Sequence, residues 1–563
     1  MKILSLHCDY IKFQAKKKAL KDAEEVSEKE IEVKEPLVIL ISVEKSDEKN
    51  IEEISNKLTI EIKGIASQVK TKNIVLYPYA HLSSSLASPQ KALEILKQTE
   101  RLLQKDFKVT RAPFGYYKSF ELKCKGHPLS ELSREFSIDS ESKTEEKYDY
   151  KQLLNEISKT KLDKEKLKEN DHRIIGKEMN LFSLSELAPG MVFWHHKGLV
   201  IRNELINFWR EEHQKADYLE IQTPMILDKK LWQISGHWEK YKENIFLTEY
   251  NKRTFAVKPM NCPGGILVYK SELRSYKDLP LRMSELGTVH RQELSGVLGG
   301  LFRVIQFTQD DAHIYCTEEQ LEDEINKVFD LVNKIYNAFK FEYHIELSTR
   351  PEKRIGSDKM WDKAESALEN VLKKRKIKFK TNKGDGAFYG PKIDFHIKDS
   401  LGRTWQCGTI QVDFSMPERF DLSYDGKDGE KHRPVMVHRA IYGSLERFLG
   451  IIIESFSGKF PLWLNPNQVI ILTLTERNDK SAENIYERLK EENIRVKLDS
   501  RTETINKKVR DAQFQRYNYI VTIGDKEQEN NTLAIRTREG KVKFNVKMED
   551  FIKELKEEIK NKK

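Results

Sequence analysis

The chain has 563 residues, of which 38% are hydrophobic and 33% are charged, and its formal net charge is +9. This length predicts several domains with real cores. The positive charge is compatible with a nucleic-acid partner, although an ordinary solvated surface explains it equally well. The five scattered cysteines argue against a disulfide scaffold and indicate a reducing compartment. Without a signal pattern or a bilayer-length apolar stretch, we expect a soluble cytoplasmic protein with no membrane partner.

The N-terminal segment has the pattern of a small α/β domain. Residues 1–7, 37–43 and 73–79 are rich in β-branched and aromatic side chains, which predicts buried strands. Residues 50–68 have helical periodicity. We place the end of this domain at residue 136.

A charged segment follows at residues 137–171, where Lys and Glu spacing predicts an exposed helical linker. From residue 172 to residue 464, Gly- and Pro-punctuated segments predict a second domain. In it, residues 199–215 form a candidate amphipathic helix and residues 393–398 alternate like a half-buried strand. Residues 465–563 alternate strands and helices, which predicts a small α/β domain with parallel or mixed strands.

Three stretches of the central segment carry recognisable motifs. Residues 218–224 have the pattern of a strand ending on Pro224, residues 282–316 contain three arginines and several acids, and residues 442–447 open an apolar helix. They resemble motifs 1, 2 and 3 of the class II aminoacyl-tRNA synthetases. Residues 258–264 and 308–313 look specifically like the threonyl-tRNA synthetases. The resemblance implies a multidomain α/β and α+β fold, with an antiparallel catalytic sheet flanked by helices.

The motif 2 and motif 3 arginines suit the chemistry of adenylate formation, which must neutralise charge spreading over phosphates. By resemblance, Arg291 contacts the α-phosphate and Arg303 the γ-phosphate of ATP, while Glu293 contacts the adenine amino edge. Phe307 and Arg447 would cover the two adenine faces. Lys392 and Gln406 match further ATP positions, and magnesium should bridge the phosphates. Any one arginine taken alone could equally pair with a surface acid.

The resemblance also assembles a metal site from Cys262, His313 and His438, which lie far apart in sequence. Taken singly, each is more typical of a core cysteine or a hydrogen-bonded histidine. Three N and S ligands match a catalytic zinc with an open position, one ion per subunit. Such a site could bind the amino group and the hydroxyl of threonine, and sites built for a hydroxyl reject analogues lacking it by about 10⁴–10⁵-fold. Other family positions around threonine are Met260, Gln309, Asp311, Tyr389 and Gln411.

Serine also has a hydroxyl group and differs from threonine by one methyl group, which contributes only ~1–3 kcal/mol to discrimination between them. We therefore expect a second site that removes mischarged serine. Residues 1–136 resemble the archaeal-type editing domain, related in fold to D-aminoacyl-tRNA deacylases. The resemblance implies hydrolysis of mischarged seryl-tRNA(Thr) without a side-chain nucleophile. The alternative for His81 and for His127 is that they cap or fill the core. The positions carried over for editing are Val43, Ala80, His81, Tyr117, Lys118 and Glu131.

The C-terminal segment resembles the anticodon-binding domain of several class II synthetases. Glu527 and Arg536 occupy positions that recognise anticodon bases, although a surface ion pair is as good an interpretation of either residue alone. Nearby cations would hold phosphates; they are Lys507, Lys508, Arg510 and Arg516.

Motif 1 implies a homodimer, whereas Pro224 by itself could be a plain strand end. The chain departs from common family residues at five positions: Gly265 and Gly299 replace histidine, Leu294 replaces proline, Ile305 replaces arginine and Asn506 replaces glycine.

The resulting interpretation is a threonine–tRNA ligase that uses ATP, threonine and tRNA(Thr) through a threonyl-adenylate. Two rivals remain at this stage. One is a catalytically silent synthetase-like protein that binds RNA, and the intact Arg291, Arg303 and Arg447 speak against it. The other is a stand-alone deacylase with a decayed ligase body, which the intact Cys262 and His438 disfavour.

Overall fold

The computed structural model describes residues 1–20, 23–27, 29–83, 85–135, 167–399 and 402–563. The chain divides into two compact units, Met1–Asp149 and Tyr150–Lys563. Most of the predicted linker, residues 137–166, lies outside the described residues. Among the residues that are described, no helix has the length and apolar character needed to cross a membrane.

The first unit is built on a seven-stranded sheet of order β2-β1-β3-β4-β5, with β6 and β7 also paired to β1. Strands β3, β4 and β5 are parallel, and β1 runs antiparallel to its four partners. The elements are β1 (Lys2–Lys18), β2 (Ile31–Lys34), β3 (Pro36–Ser42), α1 (Ile51–Gln68), β4 (Asn73–Pro78), α2 (Pro89–Leu103), β5 (Lys108–Arg111), β6 (Tyr116–Cys124) and β7 (Glu131–Glu135).

Strand β1 is longer than residues 1–7, which the sequence predicts. It continues to Lys18 because Ile11, Phe13 and Ala15 keep alternating into the core while the strand pairs with β6. The other face of the sheet is covered by α1 and α2, which bury Ile54, Leu58 and Ile95. Both faces of β3 are therefore covered, and all seven of its residues are buried.

The larger unit contains an eight-stranded sheet of order β10-β14-β15-β22-β19-β18-β16-β17. Its neighbours are antiparallel except for β10–β14 and β16–β17. Smaller sheets pair β8 with β9, β20 with β21, and β11, β13 and β12 in that order. The strands are β8 (Phe182–Leu184), β9 (Val192–Trp194), β10 (Leu219–Glu220), β11 (Ile226–Asp228), β12 (Leu247–Tyr250), β13 (Arg253–Val257), β14 (Leu281–His290), β15 (Gln306–Cys316), β16 (Tyr343–Ser348), β17 (Phe379–Asn382), β18 (Lys392–Lys398), β19 (Thr404–Asp413), β20 (Tyr424–Asp425), β21 (Lys431–His432) and β22 (Val435–Ala440).

Helices surround this sheet, and the core between them is rich in aromatic rings such as Trp209, Phe329 and Phe448. The helices are α3 (His172–Glu178), α4 (His196–Lys215), α5 (Lys229–Ile234), α6 (His237–Tyr241), α7 (Cys262–Lys270), α8 (Leu321–Ala338), α9 (Asp358–Lys374), α10 (Ser415–Arg419) and α11 (Leu445–Ser455).

Two local predictions in this region need correction. Only Leu219 and Glu220 of residues 218–224 form strand β10, because Thr223 turns its backbone N–H and its hydroxyl to the Glu285 carboxylate and Pro224 has no N–H. In β18, Asp394 does not face solvent as alternation suggests. It is 1% exposed because it accepts hydrogen bonds from neighbouring side chains, among them Ser348.

The C-terminal part of the larger unit is a five-stranded sheet of order β24-β23-β25-β26-β27. Strand β23 is parallel to β24 and β25, and the remaining pairs are antiparallel, which confirms the predicted mixed α/β pattern. Strand β23 lies between its parallel neighbours β24 and β25, so the strand order reverses at β23. Ligands commonly bind at the carboxyl ends of strands at such a switch point. The elements are β23 (Val469–Thr473), α12 (Asp479–Glu491), β24 (Val496–Asp499), α13 (Ile505–Phe514), β25 (Tyr519–Ile523), α14 (Asp525–Asn530), β26 (Leu533–Thr537), β27 (Val542–Val546) and α15 (Met548–Lys560).

Candidate active site and associated sites

One face of β15 carries a row of predicted site residues. Phe307, Gln309, Asp311 and His313 are two residues apart, so their side chains point to the same side of the sheet. The row runs from Phe307, which is predicted to contact adenine, to His313, which is predicted to bind the metal ion. A single strand therefore sets the order in which these groups meet their ligands.

At the Phe307 end of this row lies a cavity of about 420 Å³ that the three predicted arginines line. The Arg291 guanidinium lies 5.0 Å from the centre of the Phe307 ring, and Arg447 donates to the carbonyl oxygens of Phe302 (3.0 Å) and Gln406 (2.9 Å). Burial and the positive charges of Arg303 and Arg291 lower the pKa of Arg447. Within the described ranges, neither Arg291 nor Arg447 has an acidic partner within ion-pair distance. Such a cavity favours an anion.

Glu293 and Arg303 line the same cavity and contact each other, with an Arg303 Nη2 to Glu293 Oε2 distance of 2.9 Å. Gln406 also faces the cavity, and its amide donates to Asp394 Oδ1 at 2.5 Å. Lys392 binds the same Asp394 at 2.6 Å but does not line the cavity. The structure therefore brings six of the seven predicted ATP residues together around one cavity and leaves Lys392 outside its lining, on the other oxygen of Asp394.

At the other end of the row, Cys262, His313 and His438 converge. Cys262 begins α7, and His313 on β15 is the register partner of His438 on β22. Their ligand atoms all lie within 4.8 Å of one another, and the three side chains are buried. The thiol and two imidazoles are the donor set of a tetrahedral zinc site with one open position, so these residues fit the ion that the resemblance implies.

Asp413 lies behind the ligand His438 in this cluster. Asp413 Oδ2 lies 2.9 Å from His438 Nε2, and Asp413 Oδ1 accepts from the backbone N–H groups of Ser415 and Met416. Asp413 is fully buried. A carboxylate on the far nitrogen of a ligating histidine fixes its tautomer and orientation.

The substrate residues predicted from sequence surround the cluster. Asp311 Oδ2 accepts from the Asn261 amide at 2.8 Å, and burial raises the pKa of Asp311. Gln411 is the register partner of His438, and the Tyr389 ring lies 5.1 Å from the His438 ring. Gln309 lies towards the arginines, with its Oε1 3.5 Å from Arg291 Nη2.

Sequence reasoning missed His237, Asn261, Asp394 and Asp413. His237 Nε2 lies 2.8 Å from the Met260 sulfur, and burial and the positive charge of His438 lower the pKa of His237 to about 3. The sequence separations between these four residues do not indicate a functional site. Only the packing of strands β18, β19 and β22 and helices α6 and α7 brings them to the site.

In the first unit, a cavity of about 510 Å³ is lined by five of the six predicted editing residues, namely Val43, Ala80, His81, Tyr117 and Lys118. Lys118 Nζ donates to the Pro113 carbonyl at 2.9 Å and lies 5.0 Å from the centre of the Tyr77 ring. Burial lowers the pKa of Lys118 to about 8. Glu131 is exposed on β7 opposite Leu6 and does not line this cavity. His127 lies 2.9 Å from His7 and is also outside it, which favours its structural alternative.

In the C-terminal part, a cavity of about 390 Å³ lies at the carboxyl end of β23. Glu527 caps α14 by accepting from the Gly524 N–H at 3.0 Å, and Arg536 is half-buried on β26. Neither of them lines that cavity.

Two of the four cations predicted to hold phosphates have other roles. Lys508 is buried and donates to the Thr473 and Asp499 carbonyls, while Arg516 pairs with Glu178 at 3.0 Å. A buried ammonium group needs such partners, so Lys508 is not available to RNA, whereas the partly exposed Arg516 is paired with Glu178.

Comparisons with known proteins address this arrangement. Residues 1–136 match the family model of the archaea-specific editing domain of threonyl-tRNA synthetase. Residues 242–456 match the tRNA synthetase class II core domain (G, H, P, S and T), and residues 468–558 match an anticodon binding domain.

The solved RNA binding domain of threonyl-tRNA synthetase from Cryptosporidium parvum Iowa II is 40% identical to this chain. It covers 69% of this chain and 98% of its own, with a TM-score of 0.67. The chain belongs to the threonyl-tRNA synthetase family. A putative threonyl-tRNA synthetase, ThrRS-1, from Aeropyrum pernix is 29% identical over 70% of this chain and 97% of its own, with a TM-score of 0.60.

Curated relatives of this threonyl-tRNA synthetase family member are bacterial threonine–tRNA ligases. Those of Caldanaerobacter subterraneus subsp. tengcongensis and Carboxydothermus hydrogenoformans are 56% and 55% identical over 398 residues. The matched region is 71% of this chain but only 62% and 63% of theirs. The family and the combination of editing domain, class II core and anticodon-binding domain, all predicted from sequence, are confirmed.

Proposed function

We propose that the protein activates threonine with ATP and transfers it to tRNA(Thr), and that its N-terminal unit hydrolyses seryl-tRNA(Thr). The observation that carries this proposal is the row Phe307, Gln309, Asp311 and His313. It joins an anion cavity to a thiol–imidazole cluster along one strand face.

For the first step, the threonine carboxylate attacks the α-phosphorus of ATP to form threonyl-adenylate, and pyrophosphate leaves. Arg291 neutralises the α-phosphate and Arg303 the γ-phosphate. Magnesium bound with ATP would supply further positive charge to the phosphates. Adenine lies between the Phe307 ring and the Arg447 guanidinium. Because Glu293 and Arg303 are paired in the structure, ATP replaces that ion pair with contacts from each residue to the nucleotide.

For selectivity, Cys262, His313 and His438 hold one zinc ion. Bound there, zinc would supply a Lewis acid with affinity for both the amino and the hydroxyl group of threonine. Asp311 accepts a hydrogen bond from the threonine hydroxyl, and Asn261 holds that carboxylate in place. Valine has no oxygen to replace these partners, so it leaves buried polar groups without hydrogen bonds.

For editing, Lys118 donates to the seryl ester at the edge of the cavity of the first unit, and His81 and Tyr117 line that pocket. Backbone groups of Val43 and Ala80 bind the terminal adenosine or the substrate. Glu131 belongs to this proposal only through the family resemblance.

For tRNA, Glu527 and Arg536 recognise anticodon bases. A homodimer follows from motif 1, and exposed apolar residues support it, since Leu219, Met225 and Ile226 are 57%, 44% and 53% exposed around Pro224. Charging tRNA for translation places the protein in the cytoplasm, as part of the same proposal.

The test is aminoacylation of a tRNA(Thr) transcript with labelled threonine or serine by the full chain. We expect stable threonyl-tRNA, and seryl-tRNA only when Lys118 is replaced by methionine. A wild-type protein that charges no threonine would overturn the proposal.

A further inference from the structure

His172, the first residue of α3, is a buried imidazole outside the nucleotide cavity, and both of its ring nitrogens are engaged. Its side chain is 1% exposed, its Nε2 accepts the Leu301 N–H at 2.9 Å, and its Nδ1 lies 2.7 Å from Glu454 Oε1. Because a backbone N–H can only donate, Nε2 carries no proton, and Nδ1 donates to the carboxylate. His172 therefore connects the end of α11 to the motif 2 loop.

The acids around His172 do not make it a second metal site. Ligand atoms of Asp171, His172 and Glu454 do lie within 4.8 Å of one another. However, Asp171 pairs with Arg173 at 2.8 Å and Glu454 pairs with Arg403 at 2.5 Å. A metal ion would have to displace an arginine or a hydrogen bond of the imidazole at each position. The cluster is therefore a hydrogen-bond network.

The loop that His172 holds reaches the nucleotide cavity through Phe302. This residue lines the cavity, and its carbonyl oxygen accepts from Arg447 Nε at 3.0 Å. The Phe302 ring stacks on the Trp405 ring with 4.3 Å between centroids and meets the His172 ring edge-on at 4.5 Å. The Arg403 guanidinium lies 5.1 Å from the centre of the same ring. The position of Arg447 thus depends on how the loop is anchored.

Burial makes the anchoring contact costly to lose. Leu301 is fully buried, and a buried backbone N–H without an acceptor is strongly unfavourable. If the His172 acceptor is removed, the loop has to shift until this N–H finds another partner. Such a shift moves the Phe302 carbonyl as well, because the two residues are adjacent in the chain.

We infer that His172 is a positioning residue for the nucleotide: by holding Leu301 it fixes the Phe302 carbonyl that orients Arg447. It touches neither the substrates nor the reacting atoms, and it acts through Arg447 alone. This inference rests on the proposed function, which supplies the role of Arg447 towards adenine.

Two substitutions separate the ring nitrogens. An asparagine amide reaches only as far as Nδ1, so His172→Asn keeps a donor to Glu454 and loses the acceptor for Leu301. A glutamine amide reaches as far as Nε2, so His172→Gln keeps that acceptor. We expect kcat/KM for ATP in threonine-dependent ATP–pyrophosphate exchange to fall about tenfold in His172→Asn and to be restored in His172→Gln. The KM for threonine should not change, because threonine lies at the other end of the β15 row.

A double-mutant cycle tests whether the effect passes through Arg447. In the Arg447→Ala background, His172→Asn should cause little further loss, because the group it orients is already gone. His432→Asn, at an exposed position, is the matched control and should keep the wild-type value. Equal losses in His172→Asn and His172→Gln, or a full tenfold loss in the Arg447→Ala background, would overturn the positioning role.

Hydrogen exchange of the wild-type chain tests the contact without any variant. The Leu301 amide should exchange slowly, and exchange at the rate of an exposed amide would overturn the inference even if His172→Asn fails to fold. Absence of threonine-dependent exchange of pyrophosphate in the wild-type protein would overturn the proposed function instead.

Discussion

Asp413 Oδ2 lies 2.9 Å from His438 Nε2, and the carboxylate is held in turn by two backbone N–H groups at the start of α10. This contact leaves the other imidazole nitrogen of His438 for a metal ion. The orientation of His438 thus depends on a residue that is itself no ligand.

Replacing Asp413 by asparagine tests this dependence. The amide can keep an oxygen on the backbone N–H groups, but it cannot give His438 a carboxylate partner. We expect zinc affinity to fall about 10–100-fold. The measurement is zinc retained per chain against a competing chelator, with Asp421→Asn at an exposed position as control. Unchanged affinity in Asp413→Asn would contradict the orienting role.

Replacing Arg447 by alanine removes a half-buried cation from the anion cavity. We expect kcat of threonine-dependent ATP–pyrophosphate exchange to fall about 10²–10³-fold, as for other preorganised charge-stabilising groups. Zinc content should not change, because Arg447 lies at the opposite end of the β15 row. Arg433→Ala is the control, since Arg433 pairs with exposed Asp421 outside the cavity. A loss confined to zinc binding would contradict the assignment.

The pKa of Lys118, about 8, predicts the pH dependence of editing. The ammonium form prevails below that pH and the neutral amine above it, so donation by a cation weakens as pH rises. We expect the rate of seryl-tRNA(Thr) deacylation by the wild-type chain, relative to Lys118→Met, to decline as pH passes through about 8. Lys123→Met on the same strand should behave like wild type. A ratio that rises with pH would indicate that Lys118 acts as a base.

Gly300 and Gly299 are neighbours in motif 2, but they differ in whether the surrounding structure leaves space for a Cβ atom. Gly300 has a φ of +56°, and a Cβ there would lie 2.1 Å from His172 Nε2, which accepts the Leu301 N–H at 2.9 Å. A Cβ on Gly299 meets nothing within 4 Å. We expect Gly300→Ala to raise the KM for ATP in the exchange assay and to lower thermal stability, because the loop must move away from His172. Gly299→Ala should match wild type, and equal effects of the two variants would contradict this account.

Much of the fold could be predicted from the sequence, because the hydrophobic periodicity of a segment usually matches the burial of its side chains in the structure. Helices α1 and α4 start within three residues of their predicted starts. Strand β10 is shorter than predicted because the Glu285 carboxylate takes the hydrogen bonds of Thr223.

The site was predicted less completely. Arg291, Cys262 and His313 are known through resemblance, because their sequence separations carry no signal. Asp413 and His237 reach the site only when distant elements pack. Lys508 was predicted to hold RNA phosphates because the sequence of a charged segment does not distinguish a buried lysine from a surface lysine.

Threonine-dependent ATP–pyrophosphate exchange by the purified chain tests the central claim, that the β15 row joins a nucleotide cavity to a hydroxyl-selecting metal cluster. We predict robust exchange with threonine, measurable exchange with serine, none with valine, and loss of threonine exchange in both Cys262→Ala and His313→Ala. Equal exchange with threonine and valine, or wild-type exchange in both variants, would contradict the account.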